Sequence, residues 1–126
     1  MREARDRRDP LAERERAAVL AEFYGPLLTE HQRDLIRLHL DEDLSLSEIA
    51  ARGGVSRQAV HDLLRRSLRA MESFEDRLGF VARFERRQRD AERLIAIVRS
   101  WAPLVGDRES VAEAEALVRR LGDDEG

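Results

Sequence analysis

Apolar positions along this chain recur at spacings of three and four, and each stripe is cut off by a capping residue, a glycine or a proline, which is the pattern of successive amphipathic helices. The first stripe is Leu11, Val19, Leu20, Phe23 and Tyr24, closed by Gly25 and Pro26. Thr29 with Gln32 reads as a capping box, and the helix it opens carries Leu35, Ile36 and Leu38 to Leu40 before Asp41 to Asp43 close it. Ser45 with Glu48 is a second capping box, opening a short helix that ends at Gly53 and Gly54. Ser56 is a third N-cap. From Arg57 no breaker intervenes before Gly79, and Val60, Leu64, Ser67, Met71, Phe74 and Leu78 form the seam of one long helix.

After Gly79 a new face starts with Phe80, Phe84, Ala91, Leu94, Ile95, Val98 and Trp101, interrupted by Arg87 and Gln88. Two long helices meeting at one glycine predict an antiparallel hairpin. Pro103 and Gly106 are expected to break the second, and Asp107 to cap a short last helix whose stripe, Val111, Ala114, Leu117, Val118 and Leu121, stops at Gly122. The expected organisation is a disordered arm over 1–10, a helix-turn-helix domain over 11–78 including the long helix, a C-terminal hairpin and packing segment over 79–122, and an acidic tail over 123–126. The fold class is all-α.

Composition strengthens that reading. Arg, Leu, Ala and Glu make up more than half of the 126 residues, and aromatics only 5%. Cys is absent, which excludes disulfides, thiolate metal sites and cysteine nucleophiles. With no apolar run of bilayer length and a charged start, the expectation is a soluble, cytoplasmic protein. Lys is absent too, so all 23 positive charges are Arg, the side chain better suited to bidentate phosphate contacts. The net charge of −3 is unevenly spread: residues 56–99 carry +4, and both flanks are acidic. A local basic face of that kind attracts polyanions despite the average.

That face belongs to the segment Leu46 to Leu64, in which two capped helices meet at the Gly53-Gly54 turn. Ala50 permits close helix approach, one of the two glycines supplies a positive φ, and Ile49, Val55, Val60 and Leu63 fill the angle between the helices. Opposite the apolar seam of the long helix, Gln58, His61, Asp62, Arg65 and Arg69 point outward, flanked by Arg57 and Arg66. Candidate nucleic-acid-binding residues are therefore Ser56, Arg57, Gln58, His61, Arg65, Arg66 and Arg69. The competing use of these charges is an ordinary solvated helix face. Arg83, Arg86, Arg89 and Arg93 form a second basic row, diluted by Glu85, Asp90 and Glu92, and are read as surface.

Enzyme chemistry finds no foothold in this sequence. Asp41, Asp43 and Ser45 start like a calcium loop, but Leu46 and Arg52 stand where it needs Gly and Glu. His31, His39 and His61 lack helical ligand spacing, and there is neither a Gly-rich phosphate loop with its Lys nor a nucleophile elbow. The expectation is a protein that acts by binding, with no catalytic residue, cofactor or metal.

The residues Phe23-Tyr24, Leu27-Leu28-Thr29-Glu30 with Gln32-Arg33, Asp43 to Ala50, and Val55-Ser56-Arg57-Gln58-Ala59-Val60-His61-Asp62 together resemble the YlxM family, over about residues 17–90. Members of that family are similar to the fourth region of bacterial sigma factors, a DNA-binding helix-turn-helix. The resemblance implies a link to the signal recognition particle, with its small RNA, its GTPase and the receptor as partners. It also matches Ser56, Arg57, Gln58 and His61 to the family's helix-turn-helix block, with His61 standing where the family usually has Tyr, and Arg65 and Arg66 to positions usually basic. The leading expectation is an accessory or regulatory component of that pathway. The alternatives are a sequence-specific DNA-binding transcription regulator and a helical adaptor with no nucleic-acid partner. The last stripe is expected to fold back on the hairpin, and pairing with a second copy of the chain is its competing use.

Overall fold

The computed structural model describes residues 9–123, and among these six helices follow one another with no strand. They fall into two compact units that divide between Gly79 and Phe80. Most of the arm expected over 1–10, and residues 124–126 of the expected tail, lie outside the described residues. Asp9 and Pro10 prove to belong to the first helix, α1 (Pro10–Tyr24): the Asp9 carboxylate accepts from the Leu11 amide, and Pro10 sits where its missing N–H costs nothing. Ala17, Leu20 and Tyr24 are the buried residues of α1, whereas Leu11, the expected start of its stripe, is 61% exposed. At about 100° per residue, Leu11 points some 120° away from Ala17, off the buried stripe.

A 3-10 turn, Gly25–Leu27, leads to α2 (Glu30–Ile36), whose Thr29–Gln32 capping box is complete in both directions. The stripe through Leu40 predicted one continuous helix. Instead the chain widens into a π-helical turn, Arg37–Asp41, and leaves through Asp43 at a φ of 58°. Side chains distant in sequence hold this exit. The Arg14 guanidinium of α1 donates to the His39 carbonyl at 2.8 Å, the Leu40 carbonyl at 3.3 Å and the Asp43 carboxylate at 2.8 Å, so carbonyls freed at the helix end find a cationic donor.

Helix α3 (Leu46–Gly53) begins with the Ser45–Glu48 capping box, both bonds 3.1 Å. Gly54 takes the left-handed conformation at φ 64°, the Val55 amide returns to the Ala50 carbonyl, and Ser56 caps α4 (Arg57–Leu78) by accepting from the Ala59 amide. The turn thus delivers the chain into α4 with its backbone donors largely satisfied. Leu35 of α2, Ile49 and Ala50 of α3 and Val60 of α4 form the core of the helix-turn-helix, supported by Leu38, Leu44, Leu46, Leu63 and Leu64. Burial of such side chains is worth roughly 1.5–3 kcal/mol for each large one, and it fixes the α3–α4 angle.

Further along α4, Ser67 and Met71 are buried, and α1 packs beside this part of the helix. The Ser67 hydroxyl donates back to the Leu63 carbonyl, which makes a buried polar residue tolerable in the seam. Tyr24 lies 6.0 Å from the Phe74 ring and donates its hydroxyl to Glu75, while Arg16 forks onto Glu72 at 3.0 and 3.2 Å.

The second unit holds α5 (Phe80–Val105) and α6 (Arg108–Asp123), packed antiparallel. The Gln88 amide meets the Gly122 carbonyl and the Asp123 carboxylate at one end, and Arg99 forks onto Glu115 nearer the turn. The antiparallel hairpin of this unit is therefore made by α5 with α6. Three expected boundaries move. Pro103 lies inside α5, two residues from its end, where a missing donor removes one bond from the last turn only. Gly122 does not stop α6 but lies inside it, buried so closely that a Cβ there would meet the Ala91 Cβ at 2.8 Å. Asp123, assigned to the tail, is the last helical residue. The Asp107 cap is present, with its carboxyl held below its ordinary range by the Ser110 hydroxyl and amide.

Candidate nucleic-acid interface

Capping, the glycine turn and the core together aim the N-terminal half of α4 outward. Ser56 spends its oxygen on the Ala59 amide, which leaves the first-turn N–H groups of Arg57 and Gln58 without intrahelical acceptors. With the positive end of the dipole of a 22-residue helix, these favour an anion at this end. Arg57, Arg65, Arg66 and Arg69 are all exposed, and none makes an ion pair or hydrogen bond with another described residue. No bond to a described residue would have to break before these side chains met an external partner.

The predicted residues do not form one uniform row. Arg65 and Arg69 line a groove between α1 and α4, together with Glu13, Arg16, Glu72 and Asp76. Arg66 turns to the opposite flank of α4 and lines a second groove beside Arg52. Between the two grooves runs a ridge of Gln58, Asp62, Arg65 and Arg69. On it the Gln58 amide donates to Asp62 at 2.9 Å, so one turn of the ridge is internally satisfied and carries a negative charge. His61 is half-buried; its Nδ1 lies 3.7 Å from the Asp62 carboxylate, too far for a hydrogen bond, and has no other partner.

Arg52 was missed by the sequence reasoning. It occupies the last turn of α3, exposed, with Glu48 one turn earlier close enough to feel its charge. A basic residue directly before a glycine turn, four places after a capping glutamate, was the available signal. Of the other two histidines, His39 is engaged, its Nδ1 2.9 Å from the Leu44 carbonyl, and His31 stands exposed on α2 at the edge of the Arg52–Arg66 groove. No helix among the described residues is long and apolar enough to cross a membrane.

Comparison with known proteins agrees with this geometry. The family model described as "Putative helix-turn-helix protein, YlxM / p13 like" matches residues 11–98, well over half of the chain. The chain belongs to this family. The match takes in the whole helix-turn-helix unit and most of α5, and it stops before α6. Among the relatives, the UPF0122 protein of Symbiobacterium thermophilum is 60% identical over 75 residues, covering 60% of this chain and 70% of the relative. That of Geobacillus kaustophilus is 41% identical over 108 residues, covering 84% and 91%. That of Limosilactobacillus fermentum is 42% identical over 93 residues, covering 74% and 82%. The YlxM-type resemblance read from the sequence over about 17–90 is thus borne out, over a longer stretch.

Proposed function

We propose that this YlxM-type protein is a non-enzymatic nucleic-acid-binding regulator that uses the N-terminal half of α4, with Ser56, Arg57, Gln58, His61, Arg65, Arg66 and Arg69 as its contact residues. The observation that carries the reading is the set of exposed, unpaired arginines on a capped helix held at a fixed angle by the Leu35–Ile49–Ala50–Val60 core. The family resemblance supports the pathway: an accessory role with the signal recognition particle in the cytoplasm, in contact with its RNA, its GTPase and the receptor. Exposed apolar side chains on the second unit, Trp101, Leu104 and Leu121 among them, support self-association as a homodimer.

Gel shifts with the particle's RNA, random duplex DNA and a duplex pool enriched for binding, each at two salt concentrations, test this reading. On duplex DNA, four phosphate contacts at about 0.9 each give a log K against log salt slope near −3.6, and Arg57→Ala with Arg65→Ala brings it to about −1.8. The melting temperature of that double variant stays where it was, since neither side chain has an internal partner. Tight, site-selective binding to one duplex sequence would replace the pathway role with transcription regulation. Binding to none of the three at low salt would leave a helical adaptor.

A further inference from the structure

We propose that the groove between α2, α3 and α4 is a docking site for a short, acidic, amphipathic helix of a partner protein. The groove measures about 480 Å³, within the range of built ligand sites. Its apolar walls are aliphatic: Leu35 from α2, Leu38 from the π turn, Ile49 from α3, Val55 from the glycine turn, and Leu63 from α4. Val55 is 54% exposed, and Ala59 at the groove is exposed as well, so apolar surface is open to solvent where the core could have closed. Opening of this kind at the seam of three helices suits leucine-sized anchors presented at helical spacing.

The charges around the groove decide the chemistry of the occupant. α2 contributes His31 and Asp34, α3 contributes Arg52, and α4 contributes Arg66. Neither arginine is ion-paired with a described residue; Asp34 is the carboxylate of the lining, and Glu48, outside it, already attracts Arg52, so an occupant bearing Glu or Asp beside its leucines gains most at Arg66 and a share at Arg52. The open walls are aliphatic, with no Phe, Tyr or Trp among them, which matches leucine-sized anchors better than a flat base. The groove shares no residue with the ridge of Gln58, Asp62, Arg65 and Arg69, and of the proposed nucleic-acid contacts only Arg66 lines it as well. The docking proposal does not rest on the nucleic-acid reading, and through Arg66 it makes a bound partner and a bound nucleic acid competitors.

The test uses the full chain, isotope-labelled for amide NMR, and a helix-stapled alanine peptide with leucines at positions i, i+3 and i+7 and glutamates between them. Its twin carries lysines instead. The glutamate peptide is expected to shift the amides of Ile49, Val55 and Leu63 and to bind at least tenfold more tightly than the lysine twin. Ala59→Trp, which fills the groove from an exposed position, and separately Val55→Asp should each cost at least tenfold, with melting temperatures recorded as the folding control. Arg52→Glu with Arg66→Glu should invert the preference between the two peptides. Arg57→Ala with Arg65→Ala should leave peptide binding unchanged, which separates this site from the phosphate-facing ridge. The proposal is overturned if the two peptides bind alike, if the shifts fall on Leu94, Leu117 and Leu121 of the second unit, or if the groove amides respond to duplex DNA or to protein concentration rather than to peptide.

Discussion

The two adjacent glycines of the turn should respond to alanine with opposite signs. Gly54 sits at φ 64° and ψ 30°, and a Cβ added there would meet no atom within 4 Å, so the cost of Gly54→Ala is purely the left-handed backbone conformation. For an L-residue that is about 1–2 kcal/mol, of which a few tenths return because alanine restricts the unfolded chain. A net loss of about 1 kcal/mol follows. Gly53 is the last residue of α3, and its added Cβ would stand 3.7 Å from Val55 Cγ2, an ordinary contact. Gly53→Ala removes helix-disfavouring backbone freedom and should gain about 0.5 kcal/mol, less than the mid-helix value because it lies in the last turn. For a unit of this size each kcal/mol moves the melting temperature by about 4–8 °C. Gly54→Ala should therefore melt about 4–8 °C lower and Gly53→Ala about 2–4 °C higher. Thermal unfolding by circular dichroism reads the sign, and amide exchange at Leu35, Ile49 and Val60 places it in the helix-turn-helix core. Equal losses at both glycines, or a larger loss at Gly53, would refute the assignment of the left-handed residue and with it the delivery of α4.

Three further outcomes follow from the geometry. Gly122→Ala should destabilise by about 1–3 kcal/mol, against the normal gain of alanine within a helix, because its Cβ would press on Ala91 at 2.8 Å; adding Ala91→Gly should restore most of the loss in the same melts. The Glu48 carboxyl is held below its ordinary 4.5 by the Ser45 amide first and the Ser45 hydroxyl second, so the ionised form is the one the fold favours. Its contribution is complete above the unfolded value and drains away as pH falls below it; amide protection in α3 should drop with acid in the native chain and be flatter in Glu48→Gln. Trp101 is 53% and Leu104 85% exposed, and Trp101→Ala with Leu104→Glu should shift the sedimentation of a concentrated sample toward the monomer, whereas unchanged sedimentation would remove self-association through this end of α5.

The helix starts were legible because capping is local chemistry. Thr29 with Gln32, Ser45 with Glu48, and the single caps Ser56 and Asp107 each satisfy backbone donors within three residues, and all four appear where the sequence places them. Helix ends were less legible. Pro103 and Gly122 read as stops because each breaks helices on average, yet one falls where only a terminal bond is lost and the other serves a close helix contact that no local pattern reveals. The π turn at Arg37–Asp41 escaped for the same reason, since the Arg14 donor that holds it lies more than twenty residues upstream.

Amphipathic period, caps and the glycine pair are written in neighbouring residues, and they suffice for an all-α chain with a helix-turn-helix and a basic α4, because each is settled by hydrogen bonds and side-chain directions within a turn or two. Which flank of α4 each arginine occupies was decided only by packing. Arg65 and Arg69 face a groove beside α1 and Arg66 one beside α2 and α3, because Val60 and Leu64 had to turn toward the core and every other side chain on the helix rotated with them. The aliphatic groove exists only where three helices meet, and its residues, drawn from α2 to α4, share no sequence pattern that would announce it.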